Sequence, residues 1–120
     1  METSTGWVKL HRQFLEWEWF DEPNTCRLFL YCLLKANHQD KKYRGETIKR
    51  GTFVTSLEVL SNDTKISVRS VRTSLKRLES TGEVTSQRTP KGTVIQIVKY
   101  DDYQVLTNET TNRKQQNLLP

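Results

Sequence analysis

Long apolar runs, cysteine and histidine are all scarce in this chain. The densest apolar stretches, Leu28 to Leu34 and Val94 to Val98, fall far short of the roughly 20 residues a membrane-spanning helix needs. The only cysteines are Cys26 and Cys32, and a separation of six on one helix sets them well apart around its axis, so they cannot bridge each other. With no zinc-type Cys/His spacing and no signal peptide, they read as reduced thiols of a cytoplasmic protein. His11 and His38 have no Asp or Cys companion at nucleophile–base or metal-ligand spacing. No Gly-rich phosphate loop is present. Asp101 and Asp102 are adjacent, so in an extended chain they point apart and read as a strand-end feature rather than a metal pair. These absences argue for a non-enzymatic protein with no cofactor and no membrane association.

Negative charge is scarce in one place. Between Lys65 and Tyr100 stand eight cations against only Glu79 and Glu83, a net of +6 in a chain whose total is +5. The remainder is therefore almost neutral. A basic half on a near-neutral body is the electrostatic footprint of a polyanion binder. At 120 residues the chain suits one domain with short tails. Its apolar residues are bunched enough to build a small core.

Residues 1–6 read as a flexible polar leader. In WVKLHRQFLEWEWF, the residues Trp7, Leu10, Phe14 and Trp17 keep a helical three/four rhythm, which predicts an extra N-terminal helix. Aromatics at this density belong either in the core or on a self-association face. Asp21-Glu22-Pro23-Asn24 breaks the chain and starts a helix through TCRLFLYCLLKANH, apolar nearly all round and so buried against several neighbours. Gln39 to Arg44 reads as an exposed loop. Thr47 to Ser56 reads as two short strands about a tight turn at Arg50-Gly51. Ser56 then caps a short helix with Leu57 and Leu60 inward, ended by Ser61-Asn62-Asp63-Thr64.

Ser67 caps the next helix. Val68, Val71, Leu75 and Leu78 make one apolar stripe along it. The opposite face holds Arg69, Ser70, Thr73, Lys76 and Arg77, with Arg72 on the flank and no acid before Glu79. A helix that only needs solubility mixes its charges, and this one does not. Thr81-Gly82 closes it. Glu83 to Arg88 and Thr93 to Tyr100 read as strands joined by the basic tip Thr89-Pro90-Lys91-Gly92. From Val105 the composition turns to Thr, Asn, Gln and Lys, which predicts a disordered polar linker or tail over 105–120.

Two helices across a short turn, the second basic and followed by a hairpin, describe an α+β winged helix-turn-helix spanning 7–104. The predicted partner is double-stranded DNA. Arg69, Ser70 and Thr73 lie where a helix in the major groove reaches base edges, while Lys76 and Arg77 meet phosphates. The Ser67-capped helix N-terminus offers another phosphate site. Arg88 and Lys91 on the wing meet a neighbouring backbone or the minor groove. Arg72 either contacts DNA or braces a carboxylate such as Glu58 or Asp63. Lys49 and Arg50, at the predicted turn, extend the basic surface.

SVRSVRTSLKRLESTGEV resembles the recognition helix of winged-helix proteins, including GntR-type regulators. With GWVKLHRQFLEWEWF, RLFLYCLLKANH, KRGTFVTS and the tail after Asp101-Asp102-Tyr103, residues 7–104 resemble the N-terminal winged-helix domain of DnaD-like phage and prophage replication proteins. These are the replisome organisers and helicase loaders of low-GC Gram-positive bacteria. The resemblance implies DNA binding in replication initiation, self-association as a homodimer, and replication partners such as a helicase or its loader. Two alternatives stay open at this point, a small transcriptional repressor and a winged-helix protein-interaction module that inhibits a partner complex.

Overall fold

Pro23 opens the first α-helix, α1 (Pro23–Lys35), because its fixed φ and missing N–H suit a first helical turn. The computed structural model describes residues 6–104; the predicted leader up to residue 5 and the predicted tail over 105–120 lie outside the described residues. Thr25, Leu28, Phe29, Cys32 and Leu33 turn inward along α1, whereas Leu34 is 64% exposed. The helix is thus buried along one side rather than all round.

A hairpin follows where a loop was predicted. β1 (Lys41–Tyr43) pairs antiparallel with β2 (Glu46–Ile48), with Lys42 opposite Thr47 and Tyr43 opposite Glu46. Arg44 and Gly45 both take positive φ, 51° and 81°, the two-residue turn whose twist matches that of a hairpin. β2 does not pair with β3 (Thr52–Thr55) across Arg50-Gly51 as predicted. Instead, β3 joins β4 (Val84–Thr89) and β5 (Gly92–Ile97) in a separate antiparallel sheet ordered β3-β5-β4.

Ser56 Oγ accepts the Val59 N–H at 3.1 Å and starts α2 (Leu57–Thr64). The polar run expected to end this helix forms its last turn. Thr64 Oγ1 donates to the Leu60 carbonyl at 2.6 Å and Ser61 Oγ to that of Ile66 at 2.5 Å, so these hydroxyls bond back to the helix and its exit. Lys65 in the left-handed region closes α2, and Ser67 Oγ accepts the Ser70 N–H at 3.1 Å to start α3 (Val68–Ser80). α1, α2 and α3 enclose Leu28, Phe29, Leu60, Ile66, Val71 and Leu78, with Val84, Ile95 and Ile97 closing the core from the sheet. The architecture is α+β, with two small antiparallel sheets.

The aromatic segment before α1 departs most from the sequence reading. It holds a five-residue 3-10 turn, Arg12–Glu16, rather than a helix. Phe14, Trp17 and Phe20 each donate their N–H three residues back, in successive tight turns. Side-chain anchors set that path. Phe14 and Trp17 are buried in the aromatic cluster on Phe29, while the indoles of Trp17 and Trp19 donate to Glu83 and Thr81, beyond the end of α3. An ideal helix could not aim Trp17 and Trp19 at both groups while burying Phe14. Trp7 is 87% exposed and takes no part in the core. Gln104 ties this segment to the other end of the described chain, exchanging two hydrogen bonds with the Lys9 backbone.

The chain leaves β5 through a single helical turn, α4 (Tyr100–Tyr103), where a strand end was predicted. Asp101 and Asp102 occupy that first turn, and Asp101 pairs with Arg50 at 2.6 Å. Cys26 and Cys32 are both free thiols, and burial pushes the Cys32 thiol up to about 12. No described helix is long and apolar enough to cross a membrane.

Candidate nucleic-acid interface

α3 is positioned from behind by its buried stripe. Val71, Ser74, Leu75 and Leu78 face the core, and Ser74 Oγ meets Thr25 Oγ1 at 3.1 Å where α3 crosses α1. Ser74 belongs to no apolar rhythm, yet it is 1% exposed. At about 100° per residue, its burial turns the inward direction of the helix toward Arg77 and away from Val68, which is only half-buried.

That rotation divides the predicted site residues. Arg69, Arg72, Thr73 and Lys76 stand exposed on the outer side of α3, and none of the three cations is in an ion pair with a described residue. The brace considered for Arg72 does not form; Asp63 instead accepts from the Tyr31 hydroxyl. Ser67 is exposed and Ser70 half-buried at the N-terminal turn, where the Ser67 cap satisfies the Ser70 N–H.

Arg77 is drawn inward. Its Nη1 lies 3.1 Å from Glu22 Oε1 and 3.3 Å from Thr25 Oγ1, and its guanidinium sits 5.6 Å from the centre of the Trp19 ring. It is a brace between α3, the start of α1 and the aromatic segment. Arg50 is similarly committed. It binds Asp101, the carbonyls of His38 and Gln104, and the face of Tyr100 at 4.9 Å, so it stitches α4 to the turn before β3 rather than extending the basic surface.

On the β4–β5 hairpin, Arg88 is exposed opposite Thr93 with no ion-pair partner among the described residues. Lys91, at the tip, reaches across to the β1–β2 hairpin. Its Nζ donates to the Arg44 carbonyl at 2.8 Å and lies 3.5 Å from Glu46 Oε2. Its charge is thus partly spent inside the molecule. Lys49, before β3, is exposed.

One titratable group sits behind this surface. Glu83, only 9% exposed, accepts from the Trp17 indole at 3.2 Å and from the Thr81 hydroxyl. Burial pushes its carboxyl above the usual carboxylate range; the two hydrogen bonds pull it back and the charge of Glu18 adds to the rise. Glu83 fixes the exit of α3 into β4 rather than facing the outer side of the helix. Sequence reasoning missed it, along with the β1–β2 hairpin. The signal for the hairpin was Arg44-Gly45 between Tyr43 and Glu46, a turn dipeptide inside a strand-length charged run.

Among the described residues no three His, Cys, Asp or Glu side chains gather as metal ligands. No known family model, curated protein or solved structure matches this chain.

Proposed function

We propose that this chain is a winged helix-turn-helix module that docks on double-stranded DNA through the outer face of α3. One observation carries the reading. Arg69, Arg72 and Lys76 stand exposed, with no carboxylate partner among the described residues, on a helix whose other side is locked into the core. Nearby cations with different duties, Arg77 and Arg50, are each paired internally. Charges left unneutralised on a rigid helix repel one another and find their counter-charge in a polyanion.

Topology supports the same reading. α2 and α3 are joined by the three residues 65–67, a turn length typical of a helix-turn-helix, and β4–β5 follows α3 as a wing. A helix placed in the major groove presents the residues of its N-terminal half to base edges. Arg69 and Thr73 are then the base readers, with Arg72, Lys76, the N-terminal turn at Ser67 and Ser70, and Arg88 on phosphates. Arg77, predicted on phosphate, is assigned instead to bracing.

A role in phage or prophage replication initiation, with helicase or loader partners and a cytoplasmic setting, rests on the resemblance of residues 7–104 to DnaD-like domains. Transcriptional repression uses the same docking surface. Binding sites on an origin repeat support the replication role, and sites confined to a promoter overturn it. The docking itself is tested by anisotropy with a labelled duplex at low salt. An Arg69→Ala/Arg72→Ala/Lys76→Ala chain that keeps its thermal stability is expected to bind at least tenfold more weakly. Unchanged affinity would sink the assignment of α3.

A further inference from the structure

The Lys41–Ile48 hairpin is anchored at both ends. At its base, the Asn37 N–H donates to the Thr52 carbonyl at 3.0 Å and the Asn37 carbonyl accepts the Gly51 N–H at 2.7 Å, and Asp40 accepts the Arg50 N–H at 2.8 Å. At its tip, the Arg44-Gly45 turn is held by Lys91 from the end of the β4–β5 hairpin. Gly51 in turn accepts the Ile97 N–H at the far end of β5. The two hairpins therefore meet both at their bases and at their tips.

Charge is sorted across this pair of hairpins. Glu46, the single acid in β1–β2, faces Lys91 and is neutralised there. Arg50 is neutralised by Asp101. On and beside β1–β2, what stays unpaired with any described carboxylate is Lys41, Lys42, Arg44 and Lys49, all exposed, with the Arg44 guanidinium lying 5.5 Å from the Tyr43 ring centre. Every position of β1 and the turn is exposed, so the hairpin buries almost nothing that would justify its rigidity as core. A strand pair this short is marginal by itself. Here Lys91, the Gly51 contacts and the positive-φ turn hold it in one place.

Lys41 shares its strand face with Tyr43 and Glu46, the face that Lys91 holds, whereas Lys42 points to the opposite face. We propose that the β1–β2 hairpin is a second phosphate-gripping arm, held beside the wing by Lys91, in which Lys42, with Lys49 just after β2, contacts duplex backbone flanking the stretch met by α3. The arm deepens the DNA reading and rests on it. Lys91 acts as a positioning residue, and the wing and the arm meet the duplex as one unit. An exposed charged edge is also protected from pairing with other strands, but that role needs neither charges of one sign nor a tether to the wing.

Salt titration of duplex affinity separates the two claims. Each phosphate contact contributes about 0.9 to the slope of log K against log salt concentration. A Lys42→Gln/Lys49→Gln chain is expected to show a slope shallower than the wild-type chain by roughly 1 to 2, with the α3 contacts intact. The Lys42→Arg/Lys49→Arg chain, which keeps the charges, is expected to show the wild-type slope and so guards against a folding artefact. A wild-type slope in the glutamine chain overturns the arm while leaving the α3 assignment standing. Duplex binding by wild-type protein that shows no salt dependence overturns both.

Discussion

Lys76 and Arg77 are neighbours in sequence with opposite duties. Lys76 is exposed with no ion pair among the described residues, while Arg77 holds Glu22, Thr25 and Trp19 together. Arg77→Met should cost about 1 kcal/mol of stability, because its ion pair is partly exposed and screened while its aromatic contact is partly covered. It should change duplex affinity far less than Lys76→Met, whose melting temperature should stay near wild type. Thermal denaturation and anisotropy on the two variants check this exchange of roles. Glu83 carries the main pH dependence to be expected in the core. Its folded-state pKa is raised, so the fold holds its proton more tightly than the unfolded chain does. Stability is then greatest at acid pH with respect to this group and falls as pH climbs through the carboxylate range to the raised value. Glu83→Gln keeps an oxygen for the Trp17 indole and removes the charge. The variant should melt higher than wild type at pH 7, and the gap should close on acidification. A gap that is independent of pH would contradict that account.

At the scale of elements, the caps were the legible part. Pro23, Ser56 and Ser67 each start a helix where their chemistry satisfies or dispenses with a backbone N–H. Ser67→Ala should cost about 1 kcal/mol through the loss of the bond to the Ser70 N–H, read as a lower denaturation midpoint. The strand β4 and the start of β5 were legible within a residue, from β-branched text around a Pro-Lys tip, whereas β5 ends at Ile97, three residues before the predicted Tyr100. The aromatic segment was not. Its period suggested a helix, but tertiary anchors at Glu83 and Thr81 decided its path, and no local pattern encodes them. β1 was hidden because a strand with both faces in water carries no alternation to read. The direction α3 faces was misjudged by one small residue, since Ser74 is buried by its fit against Thr25 rather than by hydrophobicity. Gly51 shows the same dependence on distant structure. It sits at φ +82°, and an added Cβ would stand 2.9 Å from the Tyr100 Cβ. Gly51→Ala should therefore destabilise the protein by more than about 1 kcal/mol, combining backbone strain with a clash that α4 cannot relieve without moving.

Across the whole molecule, charge is separated by duty. Cations that hold elements together (Arg50, Arg77, Lys91) are paired with acids inside the fold, and those on the outer side of α3 and on β1–β2 are left unpaired among the described residues. Core, caps and braces explain why α3 is held still, and in the proposed docking the unpaired cations on its outer side meet the duplex. The proposed docking would draw its free energy largely from phosphate contacts, with ion release as the driving term. The most direct test is the affinity of the wild-type chain for duplex DNA measured from low to moderate salt. Contacts from Arg72, Lys76 and Arg88, with those of the arm, predict a log–log slope of about −3 or steeper. A flat dependence, or no duplex binding at low salt, would contradict the account.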